Sequence, residues 1–296
     1  MSKLLAVIRT TANPYHLVIA EGDKYFTIPG ITTLKEALQI RLADLQLLIA
    51  GQAGVPVEGV LQAPVAQDSE IWGAGVTYSR SRDARIEESG VPDVYQRVYE
   101  ADRPELFFKG TAARTVEPGG EIGIRIDSHA SVPEPEIAII INRFREVIGL
   151  TICNDMTART IEGENPLYLS QAKIYYGSGS LGPVIKPIWD IKDLKEVGIS
   201  ATIERNNEII WRAQTSLAAL HRTFANLVDY LFNCQIFPDG VILSTGTGIV
   251  PPLDIALEAG DIVSISADHI GTLTNRVAMI PLDIHEITLA LSAKAN

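Results

Sequence analysis

The sequence predicts an α+β fold that is mainly β. From Glu105 to Ile191 the chain is a succession of apolar runs of strand length, bounded by Gly, Pro and Asp residues. Further strand patterns follow from Asp239 to Val277, whereas only a few stretches have the 3.6-residue spacing of a helix. Because strands and helices do not alternate regularly, they favour mixed or antiparallel sheets over a doubly wound parallel sheet.

Two domains are predicted. Residues 1–65 form a small α+β domain, in which LLAVIRT, HLVIAEG and KYFTIPG have the pattern of strands separated by turn residues. The segment GVPVEGVLQAPVAQDS is rich in Pro and Gly and is typical of a linker. It leads to a larger catalytic domain over 66–296.

The N-terminal domain is expected to contain one helix. Thr33 and Glu36 have the spacing of a capping box. Apolar residues then recur every three or four positions up to Ile49, and Gly51 follows as a stop signal.

The larger domain has two further helical stretches. The polar segment from Ser79 to Arg103 predicts two short helices broken near 90–92, and residues 215–233 predict an amphipathic helix with Ser216 as N-cap. The first segment has the polarity of a lid over a charged ligand, with Arg82 as a substrate-binding residue. An ordinary pair of solvated helices is the alternative.

The composition narrows the class of function. The chain has 296 residues and a formal net charge of -11, which argues against the clustered Lys and Arg of a nucleic-acid site. No segment approaches the roughly 20 apolar residues of a membrane span. Two cysteines are too few for a disulfide framework, so we expect a cytoplasmic protein.

Two glutamates stand two residues apart at the entrance to an apolar run. Glu134 and Glu136 precede Ile137–Ile141, and side chains at i and i+2 of a strand point to the same face. Such a pair can lie at a solvated strand end. A second apolar run that ends on Asp155 favours instead three carboxylates around a hard cation, Mg²⁺ or Mn²⁺.

Two more polar features belong to the same domain. Lys173 precedes a glycine-rich turn, and Thr245, Gly246 and Thr247 close an apolar strand. A surface charge and a plain turn are the alternatives. Beside a metal ion, an ammonium group and backbone N–H groups would hold a carboxylate or oxyanion, which predicts a small anionic substrate.

These stretches, in this order, resemble the fumarylacetoacetate hydrolase family. The resemblance runs roughly from Ile71 to Val277 and rests on GAGVTY, RPELFFKG, PEPEIAIIIN, GLTICNDMTAR, QAKIYYGSGSLGPVI, DGVILSTGTGIV and AGDIVSISADHIGTLTN. It implies a mixed β-roll of stacked sheets in a homodimer or homotetramer. It also implies that Glu134, Glu136 and Asp155 bind Mg²⁺, with Lys173 and the Thr-Gly-Thr turn at the same site.

One position departs from the family's hydrolases. They carry Asn-Tyr-x-x-His after the opening strand, whereas this chain has Ser81 at the position of that histidine. Serine cannot replace the histidine as the base that activates water. GVTYSRSR, YEADRPELFFK and ENPLYLSQAKIYYG resemble instead the branch with 2-keto-3-deoxy-D-arabinonate dehydratases. That resemblance implies a hydro-lyase of oxidative pentose catabolism that forms 2,5-dioxopentanoate.

The expected chemistry agrees with such a site. A 2-keto acid chelates Mg²⁺, and the metal stabilises the enolate that forms when a C3 proton is removed. We expect Glu134, Glu136 and Asp155 to hold the metal and Lys173 to serve the enolate oxygen or proton transfer. The base stays open between Lys173 with a lowered pKa, Glu134 and an acid of the Ser79–Arg103 segment.

Two other functions remain open on the sequence. A hydrolase or decarboxylase of acylpyruvates or oxaloacetate would use the same metal and enolate chemistry. A non-catalytic sugar-acid binding protein would keep the pocket without turnover.

Overall fold

The computed structural model of the protein describes residues 3–51, 54–88 and 92–281. Its strands are β1 (Leu4–Arg9), β2 (His16–Glu21), β3 (Lys24–Thr27), β4 (Pro56–Val57), β5 (Val60–Gln62), β6 (Glu70–Gly75), β7 (Glu105–Thr111), β8 (Thr115–Val116), β9 (Glu121–Arg125), β10 (Ser131–Val132), β11 (Pro135–Ile141), β12 (Val147–Asp155), β13 (Thr157–Ala158), β14 (Gly179–Pro187), β15 (Gly198–Arg205), β16 (Glu208–Ser216), β17 (Val241–Thr247), β18 (Ile262–Ala267) and β19 (Gly271–Ile280). The α-helices are α1 (Leu34–Ala37), α2 (Leu42–Ala50), α3 (Ser79–Glu88), α4 (Pro92–Glu100), α5 (Arg159–Glu164), α6 (Leu169–Lys173) and α7 (Phe224–Leu231). No helix in these described ranges is long and apolar enough to cross a membrane.

Two mixed sheets form the body of the fold, as the strand-rich sequence predicts. The large sheet has the order β4-β3-β2-β1-β14-β12-β11-β17-β6-β7, with β5 beside β1 and β8 beside β14. The smaller sheet has the order β16-β15-β18-β19-β9. The central strands β11 and β12 are almost continuously apolar because both faces of the large sheet are covered.

The two faces of β11 belong to two different cores. Ile137 and Ile139 pack with residues of the smaller sheet, including Ile265. Ala138 and Ile140 pack with the N-terminal strands and helices. Glu134 and Glu136 therefore continue the second face, because side chains of alternate residues point the same way.

The N-terminal segment extends the large sheet. Leu5 of β1 pairs with Ile185 of β14, so the N-terminal strands and the body share one continuous ladder. The predicted linker contains β4 and β5, which pair with β3 and β1. A domain boundary at residue 65 stays a prediction.

The helix predicted after Thr33 is two helices. The capping box of Thr33 and Glu36 is present, but α1 ends at Ala37 and α2 begins at Leu42. The β11–β12 turn interrupts the helix, because Asn142 Nδ2 donates to the carbonyl oxygen of Ile40 at 3.0 Å. Tertiary contacts thus override a continuous 3.6-residue pattern.

The second amphipathic helix begins later than predicted. Ser216 is the last residue of β16, and α7 starts at Phe224 with Thr223 as N-cap. The Thr223 hydroxyl accepts from the backbone N–H of Asn226 at 3.1 Å, which satisfies one free donor of the first turn. Ser216 is instead the N-cap of a separate 3-10 helix, Leu217–Ala219, without a side-chain hydrogen bond, so its prediction as N-cap of the amphipathic helix is wrong.

The two helices predicted between Ser79 and Arg103 are α3 and α4. The predicted break near 90–92 falls mostly on residues 89–91, which lie outside the described residues. The C-terminal tail from residue 282 lies outside them as well.

We predict that Asn142→Ala lowers the free energy of unfolding by about 3 kcal/mol, because several buried hydrogen bonds lose a partner. Asn142 is fully buried, and its Oδ1 accepts from the N–H groups of Phe144 and Glu146 while its Nδ2 reaches Ile40. Urea unfolding measures the change. Asn233→Ala, at an exposed position, is the control, and equal stability of both variants would contradict the assignment.

Candidate metal and catalytic site

Three carboxylates meet at one end of β11 and β12. The antiparallel register pairs Glu136 with Cys153, and the N–H of Asp155 donates to the carbonyl oxygen of Glu134 at 3.0 Å. This register places Glu134, Glu136 and Asp155 on one face. One oxygen from each carboxylate lies within 4.8 Å of the others, and all three residues are buried. The predicted cluster is therefore present in the structure.

Lys173, at the C-terminal end of α6, projects into the carboxylate cluster. Its Nζ donates to Glu134 Oε2 at 2.7 Å, to Asp155 Oδ2 at 2.8 Å and to Thr157 Oγ1 at 2.6 Å. Burial opposes the charge, but Asp155 and Glu134 together raise the pKa of Lys173 above its usual value. This direction contradicts one of the three alternatives for the base, Lys173 with a lowered pKa, because all three N–H groups of the ammonium ion are paired.

Arginine side chains surround Glu134 on its other side. Arg85 Nη2, from α3, lies 3.0 Å from Glu134 Oε1, and Arg85 Nη1 forms a close ion pair with Glu162. Arg159 Nη2 lies 3.8 Å from Glu134 Oε1. Although burial opposes ionisation, Lys173 and these two guanidinium groups hold the pKa of Glu134 below its usual value. These contacts favour the ionised form of Glu134 and make it a weaker base than an ordinary glutamate.

The arginine of α3 that reaches the site is not the predicted one. Arg82 pairs with Asp83 at 2.7 Å and lies 4.8 Å from the Tyr99 ring centroid, and it does not line the pocket. Arg85, one turn later, faces the carboxylates, as does Ser81. Sequence reasoning identified the segment but not which face of its helix points inward.

Within the described part of the chain, Glu136 has no lysine or arginine in direct contact. Its Oε2 accepts from the Ser244 hydroxyl at 2.5 Å and from the N–H of Gly246 at 2.8 Å. Burial, followed by the charges of Asp155 and Glu134, raises the pKa of Glu136 to about 8. In the metal-free protein this carboxyl group is mostly protonated at pH 7.

The Thr-Gly-Thr turn is mainly part of the frame of the site. Thr245 Oγ1 donates to the carbonyl oxygen of Ile137, and Thr247 Oγ1 lies 2.8 Å from the carbonyl oxygen at the start of β11. Gly246 has a φ of 94°, and a Cβ there would lie 1.9 Å from Thr77 Oγ1. Gly246 and Thr247 line the pocket, whereas Thr245 does not.

Glu105 is a pocket carboxylate that sequence reasoning missed. It begins β7 opposite Gly75 of β6, and a Cβ on Gly75 would lie 2.0 Å from Glu105 Oε2. The carboxyl group therefore fills space that any other residue at 75 would occupy. Burial raises the pKa of Glu105, and the nearby Arg85 charge opposes that rise. Its place in RPELFFKG was the signal available in the sequence.

Lys109 is a second buried lysine behind the cluster. Its Nζ lies 2.6 Å from Asp155 Oδ1 and donates to the carbonyl oxygens of Met156 at 3.0 Å and Lys173 at 2.7 Å. It thus fixes Asp155 and the backbone that carries Lys173. Burial lowers the pKa of Lys109, against the opposing charge of Asp155.

The donor set suits a hard divalent cation. Glu134, Glu136 and Asp155 offer carboxylate oxygens alone, which Mg²⁺ and Mn²⁺ prefer. A cation would also offset the burial and the repulsion from Asp155 and Glu134 that raise the pKa of Glu136. The residues that are present therefore fit a bound Mg²⁺ ion.

A family model described as fumarylacetoacetate (FAA) hydrolase C-terminal matches residues 71–278. A probable 2-keto-3-deoxyxylonate dehydratase of Haloferax volcanii is 47% identical over 211 residues, which cover 71% of this chain and 73% of that protein. A 2-dehydro-3-deoxy-D-arabinonate dehydratase of Saccharolobus solfataricus is 39% identical over 212 residues, which cover 70% of this chain and 71% of that protein.

A solved structure shares almost the whole fold. It is a 2-keto-3-deoxy-D-arabinonate dehydratase complexed with magnesium and 2,5-dioxopentanoate, with 29% identity and a TM-score of 0.78. The match covers 95% of this chain and 100% of that chain. The N-terminal strands outside the family model therefore belong to the shared architecture.

We predict that Mg²⁺ binding at pH 7 releases about 0.9 proton, because a carboxyl group with a pKa of about 8 must ionise to coordinate the metal. The affinity should accordingly rise about tenfold per pH unit from pH 6 to 7 and level off above pH 8. Calorimetric titration in buffers of different ionisation enthalpy measures the proton. Glu136→Gln should bind the metal more weakly and release none. Binding to the native protein without proton release would contradict the prediction.

Proposed function

The chain belongs to the fumarylacetoacetate hydrolase family, and we propose that it is a Mg²⁺-dependent dehydratase. Its substrate would be a 2-keto-3-deoxy sugar acid such as 2-keto-3-deoxy-D-arabinonate, and its products 2,5-dioxopentanoate and water. The observation that carries this proposal is the buried triad of Glu134, Glu136 and Asp155 with the Lys173 ammonium group between two of its members. The relatives named as dehydratases support the reaction class.

Glu134, Glu136 and Asp155 would hold the metal. When bound, Mg²⁺ supplies a Lewis acid that stabilises negative charge on the 2-keto oxygen of a substrate. Lys173 supports the same charge through the electrostatic field of its ammonium group, because its contacts hold Nζ beside the triad.

The elimination needs a base for the C3 proton and an acid for the departing C4 hydroxyl. Lys173 is protonated and Glu134 is a weak base, so neither fits the first role. Glu105 lines the pocket, and its raised pKa suits a group that takes up a proton and gives it away. We assign to Glu105 the removal of the C3 proton and its transfer to the C4 oxygen, which leaves as water.

The second half of the reaction is a proton relocation. After water leaves, the unsaturated intermediate loses a proton from C5 and gains one at C3, which gives a C4–C5 enol. Loss of the enol O–H proton and protonation of C4 then give the aldehyde. A carboxyl group that exchanges its proton during the first half can serve this step too, and Glu105 is our candidate.

Substrate positioning falls to the pocket-lining polar groups. Thr247 and Ser81 line the pocket beside the carboxylates, and we propose that they contact the substrate carboxylate and hydroxyl groups. Gly246 contributes by holding Glu136 in place. Arg82 and Thr245 have other partners and are no longer assigned to the substrate.

The resemblance to the family further suggests a homodimer or homotetramer, and both stay proposals. A cytoplasmic location is likewise proposed, and it is supported by Cys153 and Cys234, which are free thiols.

The test is turnover of 2-keto-3-deoxy-D-arabinonate by the metal-free protein with and without Mg²⁺, followed through an aldehyde dehydrogenase. We expect product only with Mg²⁺, and at least a 100-fold loss in Glu134→Gln because an anionic ligand is removed. Glu121→Gln, at an exposed position of β9, is the matched control. Cleavage of an acylpyruvate or oxaloacetate without dehydration would overturn the assignment.

A second prediction concerns Glu105→Gln. We expect kcat to fall by about 10²- to 10⁴-fold, since a proton-transfer group is lost, whereas the Mg²⁺ dissociation constant stays within about twofold. Steady-state kinetics and calorimetry on the same preparation measure both. Unchanged kcat in this variant would remove Glu105 from the mechanism.

A further inference from the structure

Helices α3 and α4, which we call the cap, contribute Ser81 and Arg85 to the pocket. The cap leaves the large sheet after β6 and returns to it at β7. The contacts that fix the two ends of the cap therefore determine where the Arg85 guanidinium lies relative to Glu134.

The returning end of the cap is held by a buried arginine outside the site. Arg222 lies between β16 and α7, and its guanidinium donates to backbone carbonyl oxygens at the end of α4. The acceptors are Ala101 at 2.6 Å, Asp102 at 3.0 Å and Val98 at 3.1 Å. A cation at these positions satisfies carbonyl groups that a helix C-terminus leaves unpaired and interacts favourably with the helix dipole.

The leaving end of the cap is held by the preceding residue. The N–H of His221 donates to the carbonyl oxygen of Thr77 at 2.9 Å, two residues before α3 begins. The His221 ring also stacks on Tyr99 of α4, with centroids 4.4 Å apart. Two consecutive residues thus contact the start and the end of the cap.

A buried guanidinium group is costly unless its donors are paired. Arg222 is only 8% exposed, and its hydrogen-bond partners are mostly backbone carbonyl groups of the segment that ends the cap. Loss of this side chain would leave several carbonyl groups without their partner at one place, the junction between α4 and β7.

We propose that His221 and Arg222 form a clamp that fixes both ends of the cap and so positions Arg85 and Ser81 over the carboxylates. Arg222 is a positioning residue, since it does not line the pocket. The effect of the clamp on substrate binding rests on the proposed function. The triad lies at the adjacent ends of β11 and β12, with Glu134 directly before β11, and is outside the cap, so metal affinity depends much less on the clamp.

The experiment compares Arg222→Met with Arg222→Lys. In Arg222→Met we expect faster hydrogen exchange in α3 and α4 and a KM for the sugar acid raised about tenfold, because charged hydrogen bonds are lost. The Mg²⁺ dissociation constant should change by less than about twofold, because the three carboxylates keep their strands. Arg222→Lys keeps the charge but not the forked geometry. Its hydrogen exchange and its KM should therefore lie between those of the native protein and those of Arg222→Met.

Arg205→Met is the matched control. Arg205 also joins two segments, with bonds to Asp261 at 2.8 Å and to the carbonyl oxygen of Ala256 at 2.8 Å, but it belongs to the smaller sheet. We expect it to leave hydrogen exchange of the cap and KM unchanged. If Arg222→Met does not fold, Tyr99→Leu removes the ring stacked on His221 and should move the same two readouts in the same direction.

Hydrogen exchange needs no substrate, so it tests the clamp even if the proposed reaction fails. Unchanged exchange in α3 and α4 of Arg222→Met and of Tyr99→Leu would overturn the clamp. Two other results would show that the clamp does not act locally on the cap. One is an equal loss of metal affinity and of substrate affinity in Arg222→Met, and the other is the same set of effects in Arg205→Met.

Discussion

The contact of one ammonium group with two carboxylates organises the site. Lys173 Nζ lies within 2.8 Å of both Glu134 and Asp155, and all three side chains are buried. Buried ions of like sign repel strongly in a medium of low dielectric constant, so these carboxylates can remain ionised only with close cations. Removal of one partner from such a group leaves an uncompensated charge. The charges of the cluster therefore depend on one another, and the loss of any one of them would destabilise the rest.

The groups around the three carboxylates are of two kinds, charged side chains and uncharged hydrogen-bond donors. Lys109 and Arg85 contact the outer oxygens of Asp155 and Glu134, so both carboxylates are restrained on two sides. Among the residues that the structure describes, the close donors to Glu136 are a hydroxyl and a backbone N–H, and its pKa is raised. Glu136 therefore has less positive charge close to it than Glu134 and Asp155 have. A divalent cation would supply that charge.

Part of this arrangement was predictable because it follows from strand geometry. The two-residue spacing of Glu134 and Glu136 places them on one face, and the apolar runs identify β11 and β12 as buried neighbours. The role of Arg85 was not predictable, because the inward face of α3 is set by packing. The sequence of α3 has no apolar stripe that would reveal which face points inward. The break between α1 and α2 could not be predicted for a similar reason. It depends on Asn142, which is distant in the chain and donates to the carbonyl oxygen of Ile40.

The position of Ser81 separates the reaction classes that share this metal chemistry. Hydrolysis needs a base that takes a proton from an attacking water, and a serine hydroxyl is far too weakly basic for that task. Elimination requires no attacking water. It requires an acceptor near C3 that can afterwards protonate a leaving hydroxyl, and Glu105 is a partly buried carboxyl group with a raised pKa in the same pocket. A site without the hydrolytic base but with this carboxyl group is therefore better suited to releasing water than to adding it.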